Sequence, residues 1–500
     1  MITVAGFILR ISFFIGNKFP LHDGGFFFVL VKDILAAHFR LPEYSTYNFA
    51  NIPFTYPPFG LYFVASLESV FGLDRLQLFR WVPLILSTLT IPAFFLLAKE
   101  ITKDQRISLA ATTSFSLLPM GYAWLILGGG VTRAFGAIFG IFALIFAIRF
   151  LRTGFWISGL SAAIFCGLTI LSHPEWAWFV AYSIGSFCVY LFITKLKGSL
   201  IRSILLFSGT FLITLPWLIT ILKRYGISVI QPFLDTGFSR WGEIARFIFL
   251  KWTGEPLLPI FTFLAILGIF FAIKNRLKLL AVWLPLVFIF QGRAADQKAV
   301  IPLALLVGIG VMGIFDAVNS QALLKTYKKI ITIFMCGIYL YSIVNSWGAT
   351  ASLAQALPDS FLESISWLKN NTPSDSKFLV ISGQDWTNDN YSEWVSALSE
   401  RESISVVQGY EWLPGFSQRI ANYYQYQNKY ADGIEELMAW IHQNVLQVDY
   451  LILPKTGDVA LKNSLIQPAL HWNDLTHFPG ADLVFENEGA LIVDVHELNR

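Results

Sequence analysis

Apolar runs long enough to cross a membrane constrain the fold of this chain more than any other feature. A helix that crosses the hydrocarbon core of a bilayer needs roughly 20 mostly apolar residues. Eleven candidates lie at residues 2–19, 77–98, 107–127, 131–150, 155–172, 175–194, 200–221, 254–273, 277–292, 298–316 and 329–347. The composition is 55% hydrophobic and 14% charged, and the mean hydropathy is +0.58, which excludes an ordinary soluble globular protein. The sequence therefore predicts a polytopic α-helical membrane protein with about eleven crossings.

Lysines and arginines recur in every second loop between these segments, as is typical of cytoplasmic loops. The groups are Lys99/Lys103/Arg106, Arg149/Arg152, Lys195/Lys197/Arg202, Lys274/Arg276/Lys278 and Lys325/Lys328/Lys329. This pattern predicts a cytoplasmic N-terminus and places the loop around Asp23 and the C-terminal region on the outer face.

Residues 57–72 form a shorter apolar run that does not fit this alternation. If they crossed the membrane, every later basic loop would move to the outer face, against the usual bias. We therefore interpret this run, together with the amphipathic residues 26–39, as helices that lie along the outer membrane surface or dip into it. A true crossing at residues 57–72 remains the alternative.

The composition changes after Trp347. Residues 357–500 contain 20 acidic and 8 basic residues, whereas the whole chain has a net charge of +3. Helical and strand patterns alternate in this acidic region, which favours a small sheet with covering helices. They are helices at 360–370 and 434–445, strands at 377–382 and 448–453, and a hairpin at 483–495. We predict a membrane domain over 1–356, whose first outer loop spans 20–76, and an extracytoplasmic α/β domain over 357–500.

The first outer loop concentrates polar, aromatic and acidic residues between Pro20 and Gly60. Polar groups beside a bilayer cost free energy unless they are paired or solvated, so this density predicts a site. In His22-Asp23-Gly24-Gly25, the glycines allow a tight turn or a close approach to a ligand. Asp23 is the candidate catalytic residue, and the alternative is that it caps a helix beginning at Phe26. The loop's candidate substrate-binding residues are His22, Glu43, Asn48 and Tyr56.

These residues resemble the GT-C glycosyltransferases. An acidic residue in the first outer loop, an aromatic surface helix and a Tyr56-Pro57-Pro58 stretch precede a multi-helix membrane domain and an outer C-terminal domain. That superfamily includes protein O-mannosyltransferases, lipid A aminoarabinose transferases and the catalytic subunits of oligosaccharyltransferases. The resemblance covers the architecture of most of the chain, and at residue level it is concentrated in His22 to Tyr62.

The resemblance implies an inverting transfer of a sugar from a polyprenyl-phosphate carrier, with Asp23 as general base. The expected acceptor is a hydroxyl of a glycan, lipid or protein, and the expected location is the outer face of the plasma (inner) membrane, surrounded by lipid and without a nucleic-acid partner. The identity of the sugar and of the acceptor does not follow from the sequence.

Metal use is left open by the departures from the superfamily's pattern. Many members have two adjacent acids where this chain has His22-Asp23-Gly24. Oligosaccharyltransferases place an Asp-x-Asp pair in the second outer loop, which here reads Gly128-Gly129-Gly130-Val131-Thr132-Arg133, without a carboxylate. We therefore expect neither that metal site nor an oligosaccharyltransferase proper, while Mg²⁺ or Mn²⁺ remains an open alternative as a cofactor.

The chemistry of such a transfer asks for a base and for positive charge. A carboxylate takes the proton of the attacking hydroxyl, and a phosphate leaving group needs cations that stabilise its charge. Arg133, Arg293 and Lys298 are the candidate phosphate-binding residues, since arginine can bind phosphate through two hydrogen bonds. The alternative is that Arg293 and Lys298 pair with Asp296 or with lipid headgroups.

Two further clusters have two interpretations each. In His173-Pro174-Glu175, the His and the Glu either orient a sugar or form a hydrogen-bonded turn, because a metal needs more ligands than these two. In the C-terminal region, residues 393–401 and 408–412 either stack against acceptor sugars or dock the domain on the membrane part. We predict docking.

Two other functions compete with glycosyl transfer. A transporter or flippase of lipid-linked sugars predicts internal repeats and charges inside the membrane segments, where Arg10 and Arg80 are the exceptions to an otherwise apolar pattern. A non-catalytic membrane scaffold predicts that Asp23→Asn is tolerated.

Overall fold

The computed structural model describes residues 1–196, 198–227, 240–275, 277–320, 326–444, 446–455 and 479–499. Four residues of the predicted basic loops and of the predicted helix at 434–445 lie outside these ranges: Lys197, Arg276, Lys325 and Val445.

In the described residues of the membrane part, the regular elements are helices and one two-stranded pair. They are α1 (Ile2–Ile11), α2 (Gly25–Ala36), α3 (Phe59–Phe71), α4 (Arg75–Thr102), α5 (Gln105–Leu117), α6 (Ala123–Ile126), α7 (Gly130–Thr153), α8 (Trp156–Ile170), α9 (Pro174–Ile193), α10 (Ser199–Tyr225), α11 (Arg240–Ile248), α12 (Ile260–Lys274), α13 (Lys278–Phe290), α14 (Ala295–Ser320) and α15 (Lys328–Ala351). The short pair is β1 (Tyr44–Ser45) with β2 (Ile52–Pro53), which run antiparallel.

Each of the eleven predicted crossings contains a helix. By length and hydropathy, the described helices that can cross a bilayer are α4, α7, α9, α10, α14 and α15, and α5 with residues 119–126 makes a seventh if that pair, bent by 87°, is one span. The helices at the remaining predicted crossings, α1, α8, α12 and α13, are shorter. The polytopic membrane fold is confirmed, and the count of eleven stays a prediction.

Large apolar side chains cover the outward faces of these helices. Phe207, Phe211, Phe270 and Phe334 are each exposed by 44% to 66%. Soluble proteins rarely expose contiguous apolar surface of this extent, whereas lipid tails solvate it. The chain is therefore an integral membrane protein.

Polar groups of α4 and of the C-terminal end of α5 stabilise the buried charge of Arg10. Its guanidinium is fully buried, donates to Ser87 Oγ at 3.0 Å and to Ser116 O at 3.2 Å, and lies 4.4 Å from the centre of the Tyr122 ring. Ser116 is in the last turn of α5, where carbonyl groups lack helical partners and carry partial negative charge. Arg10 thus ties α1 to α4 and to the end of α5.

The first outer loop contains the two predicted helices. The amphipathic segment 26–39 is observed as α2, and the apolar run 57–72 as α3. α3 packs on α7 through ring contacts of Phe59 with Phe135 and Phe139, each at 5.2 Å between ring centres. Their placement on the membrane surface, rather than across it, stays a prediction.

The described residues of the C-terminal region form a mixed five-stranded sheet with helices. The helices are α16 (Asp359–Asn371), α17 (Asn390–Ser399), α18 (Phe416–Asp432) and α19 (Ile434–Gln443), and the strands are β3 (Lys377–Val380), β4 (Glu402–Ser403), β5 (Tyr450–Pro454), β6 (Asp482–Glu486) and β7 (Ala490–Asp494). The strand order is β4-β3-β5-β7-β6, with β3 parallel to both neighbours and β7 antiparallel to both of its own. The predicted terminal hairpin is confirmed, while β4, α17 and α18 were not predicted.

Successive residues of a strand point to opposite faces of the sheet, and both faces of this sheet are packed against other elements. Leu379 and Leu451 pack with α18 and α19 in one core. Phe378 and Val380 belong to a second core that also contains Phe26, Leu30 and Trp394. The C-terminal region and the first outer loop therefore share one apolar core, and Asp23 lies where they meet.

Candidate functional site

The backbone around Asp23 runs in close contact with the glycine run of the second outer loop. Gly128 N donates to Leu21 O at 2.8 Å, and a side chain at Gly128 would place its Cβ 2.1 Å from Asp23 O. Gly24 has φ of +134°, which side chains other than glycine disfavour. Both glycine-rich stretches are thus needed to bring the two loops together.

The Asp23 carboxylate faces the N-terminus of α7. Arg133 Nη2 donates to Asp23 Oδ1 at 2.9 Å and to Oδ2 at 2.8 Å, and Gly129 N donates to Oδ1 at 3.2 Å. Gly129 is the N-cap of α7, so the positive end of the helix dipole also faces the carboxylate. The alternative that Asp23 caps the helix near Phe26 is wrong, because Gly24 is the N-cap of α2 and the N–H groups of Gly24 and Phe26 donate to Glu393.

Asp23 is ionised in this setting. Burial alone would raise the pKa of Asp23, but the charge and hydrogen bonds of Arg133, with the nearby His22 ring, hold it well below its ordinary value. His22 Nδ1 lies 3.9 Å from Asp23 Oδ1, and His22 Nε2 lies 3.4 Å from Asn388 Oδ1. The Asp23 side chain is 19% exposed, which leaves the carboxylate open to a small polar group.

A second acidic group, Glu175, lies in the first turn of α9. Arg293 Nε donates to Glu175 Oε1 at 2.6 Å, and Lys298 Nζ donates to Oε2 at 2.5 Å. The side chain of Lys298 is 1% exposed, whereas that of Arg293 is 43% exposed. Asp296 instead pairs with Arg246 at 3.3 Å, so the alternative pairing of Arg293 and Lys298 with Asp296 is not observed. This Glu175 cluster of two cations and one carboxylate carries a net positive charge.

Tyr56 and His173 connect the two acidic groups. The Tyr56 hydroxyl lies 3.3 Å from Thr132 Oγ1, next to Arg133 in the chain, and its ring centre is 6.4 Å from that of His173. Burial lowers the pKa of His173 to about 3, so its ring is neutral. His173 Nδ1 is buried without a hydrogen-bond partner among the described residues. His22, Asp23, Tyr56, Arg133, His173, Glu175, Arg293 and Lys298 therefore form one continuous region.

The other two predicted substrate-binding residues lie apart from this region's polar contacts. The Asn48 side chain donates to Ser403 O and Tyr410 Oη and accepts from Ser396 Oγ and Ser403 N, so it joins the loop to the C-terminal region. Glu43 is exposed, and its backbone oxygen accepts from Phe54 N and the Tyr225 hydroxyl. Their role in substrate binding stays a prediction.

The sequence did not reveal three contributors to the site. Gly129 supplies a backbone N–H, Glu393 accepts from Phe26 N in the first turn of α2, and Trp394 Nε1 donates to His22 O at 2.8 Å. The glycine run at a predicted helix start was a usable signal for the first, since helix N-termini bind anions. The other two lie in the 393–401 cluster, whose predicted docking role is confirmed by these contacts.

The residues near Asp23 do not fit a divalent metal in this arrangement. Among the described residues, no group of three or more His, Cys, Asp or Glu side chains is placed to hold a metal ion. The Asp23 carboxylate is instead occupied by a guanidinium group, which a cation would have to displace.

No protein-family profile matches the sequence, and neither does a curated protein. Solved structures do match. The archaeal oligosaccharyltransferase AglB from Archaeoglobus fulgidus, in complex with an inhibitory peptide and a dolichol-phosphate, has a TM-score of 0.62 at 14% identity over 91% of this chain and 69% of its own. A structure of the same protein is a complex with Zn and sulfate.

Two bacterial structures match over nearly all of this chain. ArnT from Cupriavidus metallidurans bound to undecaprenyl phosphate has a TM-score of 0.56 at 13% identity, over 99% of this chain and 97% of its own. The arabinofuranosyltransferase AftD from Mycobacteria has a TM-score of 0.59 at 14% identity, over 99% of this chain and 39% of its own. At these identities the likeness concerns the fold. The chain is thus an integral membrane protein with the GT-C fold that the residues around Asp23 predicted.

Proposed function

We propose that this protein is a membrane glycosyltransferase that moves a sugar, with inversion, from a polyprenyl-phosphate carrier to an acceptor hydroxyl. The observation that carries the proposal is the ionised, partly exposed Asp23 carboxylate, held by Arg133 and beside a cluster with surplus positive charge. The shared fold supports it, since solved neighbours were captured with dolichol-phosphate and with undecaprenyl phosphate.

In the proposed reaction, the acceptor oxygen attacks the anomeric carbon while Asp23 Oδ2 takes the hydroxyl proton. The bond from the anomeric carbon to the phosphate oxygen breaks, and the carrier leaves as a phosphate anion with the bonding electrons. Arg293 and Arg133 stabilise that anion, because fixed cations aimed at developing charge lower the barrier without reorganisation. Glu175 holds Arg293 and Lys298 in place for this role.

Donor binding also activates the base in this scheme. In the free protein, Arg133 holds the pKa of Asp23 low, which makes the carboxylate a weak base. A donor phosphate that binds Arg133 shares its charge and adds negative charge beside Asp23. The pKa of Asp23 then rises, so the base gains strength only when the donor is present.

The proposal includes a location and a division of the chain. The basic loops support a cytoplasmic N-terminus, with Asp23 and an extracytoplasmic domain over 357–500 on the outer face of the plasma membrane. The membrane domain would then cover residues 1–356.

The test is transfer of radiolabelled sugar from polyprenyl-phosphate donors to endogenous acceptors, in membranes that contain wild type or Asp23→Asn at matched expression. We expect Asp23→Asn to lower the transfer rate by about 10² to 10⁴ with donor binding retained, since that is the usual contribution of a positioned base. The matched control is Asp359→Asn, because Asp359 is 64% exposed and pairs with Lys18 on the surface. Equal transfer by wild type and Asp23→Asn would overturn the role of Asp23.

The competing functions draw less support from the same contacts. The buried guanidinium of Arg10 donates hydrogen bonds to groups on α1, α4 and α5, which is typical of a structural contact and not of a transport site. A scaffold gives no reason for a partly exposed carboxylate and a cation cluster in one region. If no donor supported transfer, the transporter and scaffold functions would be favoured instead.

A further inference from the structure

We infer that Glu393, in the C-terminal region, is a positioning residue for Asp23. Its carboxyl group fixes the backbone of Gly24 to Phe26, and with it the direction in which the Asp23 carboxylate points. The inference rests on the proposed role of Asp23 and extends the machinery of that site to α17.

Glu393 does for α2 what a local N-cap side chain ordinarily does. Glu393 Oε1 accepts from Phe26 N at 2.9 Å, and both carboxyl oxygens lie 3.3 Å from Gly24 N. The residue preceding α2 is Gly24, which has no side chain to accept these N–H groups. Glu393 is 2% exposed, so water does not replace it as the acceptor.

The neighbouring residue of α17 holds the other side of Asp23. Trp394 Nε1 donates to His22 O at 2.8 Å, and the Trp394 ring lies edge-on to Phe19 at 4.7 Å between ring centres. Two consecutive residues of α17 thus bind the backbone before and after Asp23. Because the backbone is held on both sides, the Asp23 side chain keeps one direction towards Arg133.

A neutral group suffices for this role. Burial and the charge of Asp23 raise the pKa of Glu393 above its ordinary value, which favours the neutral carboxyl group. The other titratable groups that face Glu393 are Glu411 and Tyr47. Glutamine has the same shape and keeps an oxygen that accepts from Phe26 N, which makes Glu393→Gln the conservative variant.

Glu400 offers a matched control at the opposite end of the same helix, where it is the C-cap of α17. It pairs with Lys32 of α2 at 2.9 Å and with Lys369 at 2.9 Å, and its side chain is 46% exposed. Glu400→Ala therefore removes a contact between the C-terminal region and α2 without touching residues 22–26.

The experiment uses the full-length protein in detergent, with two measurements on each variant. Steady-state transfer from a polyprenyl-phosphate-linked sugar gives kcat and donor KM, and amide hydrogen exchange reports on residues 21–28. We expect Glu393→Ala to lower kcat about 10²-fold, the usual effect of misplacing a catalytic group by about 1 Å, with donor KM unchanged within about twofold. Exchange at Gly24 and Phe26 should become faster. Glu393→Gln should retain at least about half of kcat, and Glu400→Ala should behave as wild type.

Wild-type kcat in Glu393→Ala, or an equal loss in Glu400→Ala, would overturn the inference. If the wild type transfers no sugar, the proposed function fails, and the exchange measurement still decides whether Glu393 fixes the loop. If Glu393→Ala does not fold, Glu393→Asp replaces it. The aspartate side chain is one methylene shorter and does not reach the two N–H groups as well, so a kcat loss of about tenfold is expected. An unchanged kcat would contradict the inference.

Discussion

The two acidic groups of the site, Asp23 and Glu175, are built from the same kinds of residue and differ in their charge balance. Each carboxylate lies at the N-terminal end of a long membrane helix and accepts from basic side chains. Asp23 has one cation, Arg133, and the pair is neutral. Glu175 has two, Arg293 and Lys298, and the cluster is positive.

This difference separates two tasks. The surplus cation at Glu175 is suited to an anion that arrives from outside, such as the phosphate of a lipid carrier. The neutral pair at Asp23 leaves a carboxylate whose basicity depends on what Arg133 binds. In the proposed function, a base and an anion site are thus made from like residues that differ in the number of cations.

The largest effect that tests this comparison is expected on stability, from Glu175→Gln. The change leaves the charge of Lys298, whose side chain is 1% exposed, without its partner. Removing one partner of a buried ion pair costs about 3–5 kcal/mol, so the thermal unfolding temperature in detergent should fall clearly. Glu175→Gln/Lys298→Met should recover most of the loss.

The matched control for this prediction is Glu100→Gln. Glu100 also accepts from two cations, Lys103 and Arg149, but their side chains are 61% and 44% exposed. Water solvates those charges after the change, so a cost below about 1 kcal/mol is expected. Equal losses in the two variants would show that burial of Lys298 does not distinguish the Glu175 cluster.

The next effect is expected on the chemical step, from Arg133→Gln. Transfer should fall by about 10² to 10³, as when one group that stabilises developing charge is lost. Without the charge of Arg133, a main cause of the low pKa of Asp23 is lost, so that pKa rises. The rate should then decline towards acidic pH in the variant, because Asp23 becomes protonated there. If the profile of kcat/KM against pH were the same in Arg133→Gln and wild type, Arg133 would not control the pKa of the base.

The smallest effect is expected on donor binding, from Arg293→Gln. Loss of one charged hydrogen-bond donor to phosphate should raise donor KM about tenfold and change kcat less. Arg246→Gln is the control, since Arg246 pairs with Asp296 and its side chain is 45% exposed, against 43% for Arg293. A similar rise in KM for both variants would mean that general surface charge, and not the Glu175 cluster, attracts the donor.

Much of the site was visible in the sequence because it lies in short stretches of unusual composition. Polar residues between Pro20 and Gly60, and basic residues in otherwise apolar outer loops, pointed to Asp23, Arg133 and Arg293 before any contact was known. Their partners were not visible. That Arg293 and Lys298 meet Glu175 and not Asp296 depends on how α9 and α14 pack, which local patterns do not encode.

The C-terminal region shows the same limit. Its terminal hairpin followed from alternating residues around a turn, whereas β4 is two residues long and pairs with β3 only through a tertiary contact. Docking of residues 393–401 was predicted from composition. That Glu393 serves as the cap of α2 was not, because a cap is normally sought within a few residues of the helix start.

The sequence by itself determined that the chain enters a bilayer and where its polar stretches lie. Hydrophobicity and loop charge are properties of consecutive residues, so they can be read without knowing any tertiary contact. Only the tertiary structure decided which charges neutralise one another and which remain in surplus. Pairing energies depend on distances of a few ångströms between residues far apart in the chain. Asp23, Arg133 and Glu393 become one unit because the first outer loop and the C-terminal region fold into a single core.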